Sequence, residues 1–263
     1  MKKFTRMAAA GIAGALILAA TGCANNNSGD QTSATKSETT AEITTEATTE
    51  APSESTDATA AAHKVEVEEV VLDTKKDANG NEYKTIVPKI TIDGKEASEL
   101  NASISSVIQK NYGLEENGEY VDGYQTKFVW AVKDNIISII FDADYLTEDG
   151  GDTVAFNYNI ETLAAVSNAD VIKAYGLSED DFKKKVADAF TGYWDSSEGF
   201  KNEDKANLKK SIDEISLTTV TPCVLPNGEL GVIGRIYLPA GSQFEDKNVV
   251  FDLKDLKAAS LFS

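Results

Sequence analysis

Residues 24–62 cannot contribute to a folded core, which confines any fold to the remainder of the chain. The stretch is almost entirely Ala, Asn, Ser, Thr, Asp, Glu and Gly, with no aromatic residue and Ile43 as its only large aliphatic. A segment this polar buries too little apolar area to offset the entropy lost on ordering, so it is expected to be a disordered tether. A flexible chain of that length spans roughly 35 Å on average, and self-repulsion of its acids extends it further. About 200 residues remain, ample for one domain or for two smaller subdomains.

Those residues must fold on apolar packing alone. The chain has two cysteines, Cys23 and Cys223. With Cys23 on the near side of the tether and assigned another role below, Cys223 has no partner for a disulfide. It lies in the apolar run Val220–Leu225 and is expected to be a buried thiol packed as a small hydrophobe.

Periodicity divides residues 63–263 into strands and helices. Lys64 to Asp73 alternates as a strand, Asp77-Ala78-Asn79-Gly80-Asn81 reads as a turn with Asn79-Gly80 at positive φ, and Tyr83 to Ile92 returns. Pro88 in the return strand predicts an edge position or a bulge. Asp93-Gly94 can cap a helix with Ala97, Leu100, Ile104, Val107 and Ile108 on one face, ending at Gly113. Gln125–Val132 and Ile136–Tyr145 form a strand pair, and the run Ile136-Ile137-Ser138-Ile139-Ile140-Phe141 predicts a central strand. A strand from Thr153 to Ile160 follows an acidic loop. Asn168–Tyr175 is a short segment, and Ser178 caps a helix with Asp181 three residues on and Phe182, Val186, Ala189, Phe190 and Tyr193 inward. A short helix ending near Ile212 and Ile215 precedes strands at 216–225, 229–238 and 248–253. Clusters of strands and helices, rather than strict alternation, predict an α+β fold: mostly antiparallel sheet with two or three packing helices, behind the tether.

The N-terminus has a basic start (Lys2, Lys3, Arg6), an apolar run from Met7 to Ala20, and then Ala20-Thr21-Gly22-Cys23. Basic residues, a short apolar stretch and small residues make a secretory signal. The last four residues resemble the bacterial lipobox, with Ala20 where Leu is usual. The resemblance implies that residues 1–22 are a lipoprotein signal peptide, that the Cys23 thiol receives a diacylglyceryl group, and that the new amino terminus, as is often so in such proteins, is acylated, with palmitate the expected chain. Each buried methylene contributes about 0.8 kcal/mol, so two or more chains give stable anchoring. The expected location is the cell membrane, lipid-anchored, on the extracytoplasmic face.

Three stretches resemble the RsiV-like extracytoplasmic domain of Gram-positive bacteria, a family mostly of unknown function. They are Tyr83–Ile90 running into Leu100-Asn101; Ile136–Phe141 with Gly150-Gly151 and Phe156–Ile160; and Leu225–Leu230 with Tyr237–Gly241. Together they span about 65–255, so the resemblance covers the expected domain 63–263. Members include the outer domain of a lysozyme-sensing anti-sigma factor and accessory domains of a peptidoglycan deacetylase. The resemblance implies binding at the cell envelope rather than catalysis. The family's Gly-Gly-Ala-His is here Gly150-Gly151-Asp152-Thr153, so no role of that histidine transfers. No stretch reads as a transmembrane helix or a cytoplasmic sigma-binding segment, so the chain is expected not to be such an anti-sigma factor.

Charge and residue inventory narrow the chemistry. The chain carries 43 acidic against 25 basic residues, a formal charge of -18; removing residues 1–23 takes away three positive charges and leaves about -21. Nucleic acid and anionic headgroups are disfavoured as partners, and cationic ones favoured. His63 is the only histidine, which leaves no Ser-His-Asp or Cys-His arrangement in the folded region. No cofactor motif is present. The acids Asp142, Asp144, Glu148, Asp149 and Asp152 are the nearest thing to a calcium ligand set, but their spacing fits no EF-hand loop and a solvated turn is the expectation. Trp130, Tyr193, Trp194 and Tyr237 are the aromatics to follow: core is the expectation, with one ring of Tyr193-Trp194 the candidate for exposure. The expected function is a non-enzymatic, membrane-anchored binding module for a cationic protein such as lysozyme or for a cell-wall component. The alternative is a cell-wall glycan-acting enzyme with paired carboxylates. A solute-binding lipoprotein would need two larger lobes than this region supplies.

Overall fold

The computed structural model describes residues 63–117, 120–146, 151–201, 203–239, 241–242 and 244–262. The signal peptide, Cys23, the tether, Glu148, Asp149 and Gly150 lie outside the described residues.

The described chain opens with a long hairpin, β1 (Val65–Lys76) and β2 (Glu82–Ile92), paired from Val65↔Ile92 to Lys76↔Glu82. Its loop is organised by the Asp77 carboxylate, which accepts from the backbone of Asn79 and Asn81 and from the Asn81 amide. Gly80 alone has positive φ, at 83°, so the expected two-residue Asn79-Gly80 turn is replaced by a loop built on an Asx contact. Pro88 pairs opposite Glu69, and the bulge falls on β1 instead: Val71 faces Ile86 and Asp73 faces Thr85, leaving Leu72 without a partner.

Asp93-Gly94, expected as a helix cap, is a hairpin turn. Both residues have positive φ, 50° and 75°, and they join β2 to the short β3 (Lys95–Glu96) through Ile92↔Lys95. This is the geometry of a two-residue type I′ turn. The helix α1 (Ser98–Tyr112) starts after Ala97 without a side-chain cap and buries Leu100, Ile104, Ile108 and Tyr112; it stops at Gly113.

The second sheet runs β4-β5-β6-β7, from β4 (Leu114–Asn117), β5 (Tyr120–Lys133), β6 (Ile136–Tyr145) and β7 (Gly151–Asn159). The apolar strand β6 is central, as its composition required, and is paired along its length on both edges. Its Ile137, Ile139, Phe141 and Ala143 face α1 and the hairpin, together with Val87 and Ile90. Thr126 on β5 fastens the hairpin: its Oγ1 accepts from Ile86 N at 2.8 Å and donates to Ile86 O at 2.7 Å.

Helices then follow: α2 (Asn168–Ala174), α3 (Glu179–Ser196) and α4 (Ala206–Asp213). With α1 they make four among the described residues, since both short segments are helical. The third sheet has the order β11-β10-β9-β8, from β8 (Thr221–Val224), β9 (Leu230–Tyr237), β10 (Asp246–Asp252) and β11 (Lys257–Ala258). All pairings are antiparallel, so the fold is α+β with antiparallel sheets.

Three apolar clusters stack the layers. The α1 cluster covers one face of the second sheet. Ile140, Cys223, Leu225, Ile233 and Val250 fill the seam between the second and third sheets. Phe182, Val186, Phe190 and Trp194 of α3 pack with Val232, Ile236 and Phe251 on the far side of the third sheet. Gly234 makes that approach possible, because a Cβ there would lie 2.5 Å from Phe190 Cζ. A buried polar link crosses the seam: Ser138 Oγ donates to Asn157 Oδ1 at 2.5 Å and accepts from Val224 N at 2.8 Å, and Asn157 Nδ2 donates to Pro222 O at 2.9 Å.

Candidate functional site

The acidic candidates do not converge. Opposed residues of an antiparallel pair share a face, and Asp152 is opposite Ala143 whereas Asp142 is opposite Thr153 and Asp144 opposite Gly151. Asp152 therefore leaves the sheet on one side and Asp142 and Asp144 on the other. Both Asp152 oxygens are engaged, one accepting from Tyr112 Oη at 2.7 Å and the other from Asn248 Nδ2 at 2.7 Å. This carboxylate ties α1 to β7 and β10; burial, reinforced by the Asp152 charge and hydrogen bond, pushes the Tyr112 phenol far above its usual range. Asp142 pairs with Lys127 Nζ at 3.3 Å, and Asp144 is exposed. Among the described residues, no group of three or more His, Cys, Asp or Glu side chains is placed to hold a metal ion.

His63 is a clasp. Its Nδ1 lies 2.6 Å from Asp93 Oδ2 and its Nε2 3.7 Å from Glu161 Oε1, and Asp93 Oδ1 accepts from Lys64 N. The hydrogen bond to Asp93 raises the imidazole above its ordinary 6.5, and the same contact lowers the Asp93 carboxyl. The β2–β3 turn that takes the place of a helix cap thus holds the entrance of β1.

Cys223 is fully buried in the seam, and burial pushes its thiol up to about 12. Of the aromatic candidates, Trp194 is fully buried and packs on Phe200, so the exposure allowed for at Tyr193-Trp194 does not fall on the indole. Tyr193 is half-buried against Phe251. Tyr237 donates to Glu214 Oε2 at 2.8 Å, and Lys210 Nζ sits over its ring.

Periodicity alone did not single out the outer part of β1, yet the unusual surface is there. Five consecutive residues, Glu68 to Leu72, are exposed, on both faces of the strand. Val70, Val71 and Leu72 are the exposed large hydrophobics of the described surface, at 38%, 49% and 39%. β1 stands at the end of its sheet and pairs with β2 only, so its other edge carries no strand. Beside it lies a groove of about 340 Å³ lined by Val67, Glu69, Phe128, Val129, Trp130 and Pro226. Its floor is apolar and aromatic, and Glu69 is the one carboxylate on its rim. The signal was present in the sequence as Val70-Val71-Leu72, three apolar residues in a row where strict alternation breaks. A bulge at Leu72 is the structural form of that break.

No family model, curated protein or solved structure matches the chain. Among the described residues, no helix is long and apolar enough to cross a membrane.

Proposed function

We propose that the protein is a lipoprotein anchored through Cys23 on the extracytoplasmic face of the membrane, where its α+β body serves as a non-enzymatic binding module. The observation that carries this reading is the N-terminal order Lys2-Lys3-Arg6, apolar 7–20, Ala20-Thr21-Gly22-Cys23. The resemblance of 65–255 to the RsiV-like domain supports envelope binding, and the net charge of -18 favours a cationic partner such as lysozyme, or a cell-wall component with basic groups. The alternative, a glycan-acting enzyme, needs two carboxyl groups facing one cleft; the groove beside β1 is lined by one, Glu69. The histidine is held between two carboxylates at the domain's edge.

Metabolic labelling with an alkyne-tagged palmitate tests the anchor. The wild-type chain takes up label and sediments with membranes; Cys23→Ala takes up none and is released. Label on the variant, or none on the wild type, overturns the lipoprotein reading. Capture from cell-wall extract and of lysozyme by the immobilised full chain tests the binding role. Retention at low ionic strength that weakens with added salt is expected for an acidic binder. Lytic activity in a cell-wall zymogram, lost on carboxylate substitution, would replace the binder with the enzyme.

A further inference from the structure

We infer that the free edge of β1, with the groove beside it, is the docking site for an extended, basic polypeptide segment that adds as a strand. This deepens the binding-module reading and rests on it. An unpaired strand edge offers a row of backbone donors and acceptors, and strand addition uses those bonds for affinity and side-chain pockets for selectivity. β1 has that edge over a strand of 12 residues. It keeps two of the usual protections of an edge, charge and a bulge at Leu72, and departs from a third. Natural edges are kept short or presented with charge, and exposed apolar side chains are kept off them. Here Val70, Val71 and Leu72 stand exposed in the middle of the strand.

The charges select the occupant. Between Val65 and Asp73 the strand holds four acids, Glu66, Glu68, Glu69 and Asp73, and no base. Glu66 pairs with Lys64 and Asp73 with Lys75; Glu68 lies across the strand pair from Lys89, whose ammonium is 3.8 Å from Glu96, and neither Glu68 nor Glu69 makes an ion pair among the described residues. A second copy of the chain would bring the same acids and a further formal charge of -18 to the edge. Like charges juxtaposed in an interface suppress wrong partners. The acids thus guard the edge against self-association while attracting a segment that alternates basic and apolar residues.

The groove supplies the side-chain pocket. Its floor of Phe128 and Trp130, with Val67 and Pro226, accepts the aliphatic stem of a Lys or Arg. Aromatic faces attract the cation, and Glu69 at the rim reaches its head. The class of ligand is therefore a basic peptide in extended form, and the apolar residues between its bases cover Val71 and its neighbours.

The test uses the full-length chain and two capped octapeptides, one alternating Lys and Val, the other Glu and Val. Trp130 reports on the groove, because the second tryptophan, Trp194, is fully buried elsewhere. The Lys-Val peptide should shift tryptophan emission saturably and bind at least about tenfold more tightly than the Glu-Val peptide. The double variant Glu68→Lys/Glu69→Lys should lose at least about tenfold in affinity, and Val71→Lys should weaken binding without reversing the whole patch. Circular dichroism and melting temperature check that the variants fold; a third variant, Asp188→Lys, controls for net charge at an exposed site on α3, which packs on the third sheet. The proposal is overturned if both peptides bind alike, if Asp188→Lys costs as much as a β1 reversal, or if sedimentation shows β1-dependent dimers that compete with the peptide. Capture of cell-wall material that survives Glu68→Lys/Glu69→Lys unchanged removes this site and leaves the binding module standing.

Discussion

At the scale of single residues, His63 gives the clearest pH signature. Its folded value is raised, so the clasp contributes stability fully below the ordinary 6.5 and loses it as pH rises through the folded value. Asp93 is lowered, so its share is present above the ordinary 3.8 and is lost as pH falls through its folded value. The clasp is therefore strongest in mildly acidic solution. As His63 is the only histidine, its imidazole proton resonances titrate without overlap in NMR; the midpoint should lie above 6.5 and return toward it in Asp93→Asn. Cys223 makes a second prediction. A thiol pushed up to about 12 in an apolar seam is protonated and shielded at neutral pH, so in a Cys23→Ala chain a thiol reagent should react only after denaturant is added. A third concerns Gly234, where an added methyl meets the buried Phe190 ring. Gly234→Ala should destabilise by about 1–3 kcal/mol through overpacking, measured by urea unfolding.

At the scale of elements, the legible parts were those whose signal is local. Ser178 caps α3 as its spacing with Asp181 predicts: its Oγ accepts from Asp181 N at 3.1 Å and donates to the Asp181 carboxylate at 2.6 Å. Ser178→Ala should cost about 1 kcal/mol, visible as a lower melting temperature. The strand β6 and the end of α1 at Gly113 were equally legible, one from unbroken apolar character and the other from a break in helical period. Asp93-Gly94 was misread because an Asp-Gly pair serves both a cap and a type I′ turn. The choice is made by the two-residue strand that follows, and such a strand exists only through its partner. β4 and β11 escaped for the same reason: their residues become strands by pairing with β5 and β10. Trp194 was legible in principle, four residues on from Phe190 on the inward stripe of α3. The outer edge of β1 was not, because exposure of an apolar triplet depends on which neighbour fails to cover it.

At the scale of the whole molecule, the sequence left open whether residues 63–263 form one body or two. The described residues fall in a single contact unit, with the middle sheets shared between clusters. The two tryptophans test cooperativity across it, since Trp130 packs on the α1 cluster and Trp194 lies within the α3 cluster. Trp194→Phe gives up no hydrogen bond to a described residue, so single-tryptophan chains are accessible. Denaturant midpoints reported by Trp130 alone and by Trp194 alone should coincide once each is referred to the far-UV circular dichroism of its own variant. Separate midpoints would divide the body in two.

Ser138 and Asn157 also fix how the two sheets meet. Greasy surfaces alone would tolerate a slip of one strand repeat, since Ile, Val and Leu side chains exchange places at little loss. An amide that donates to Pro222 O and a hydroxyl that accepts from Val224 N act as a keyway, admitting one alignment. Replacing both by Ala and Leu should leave a chain that still collapses but whose layers drift, with broadened NMR lines before any loss of helix.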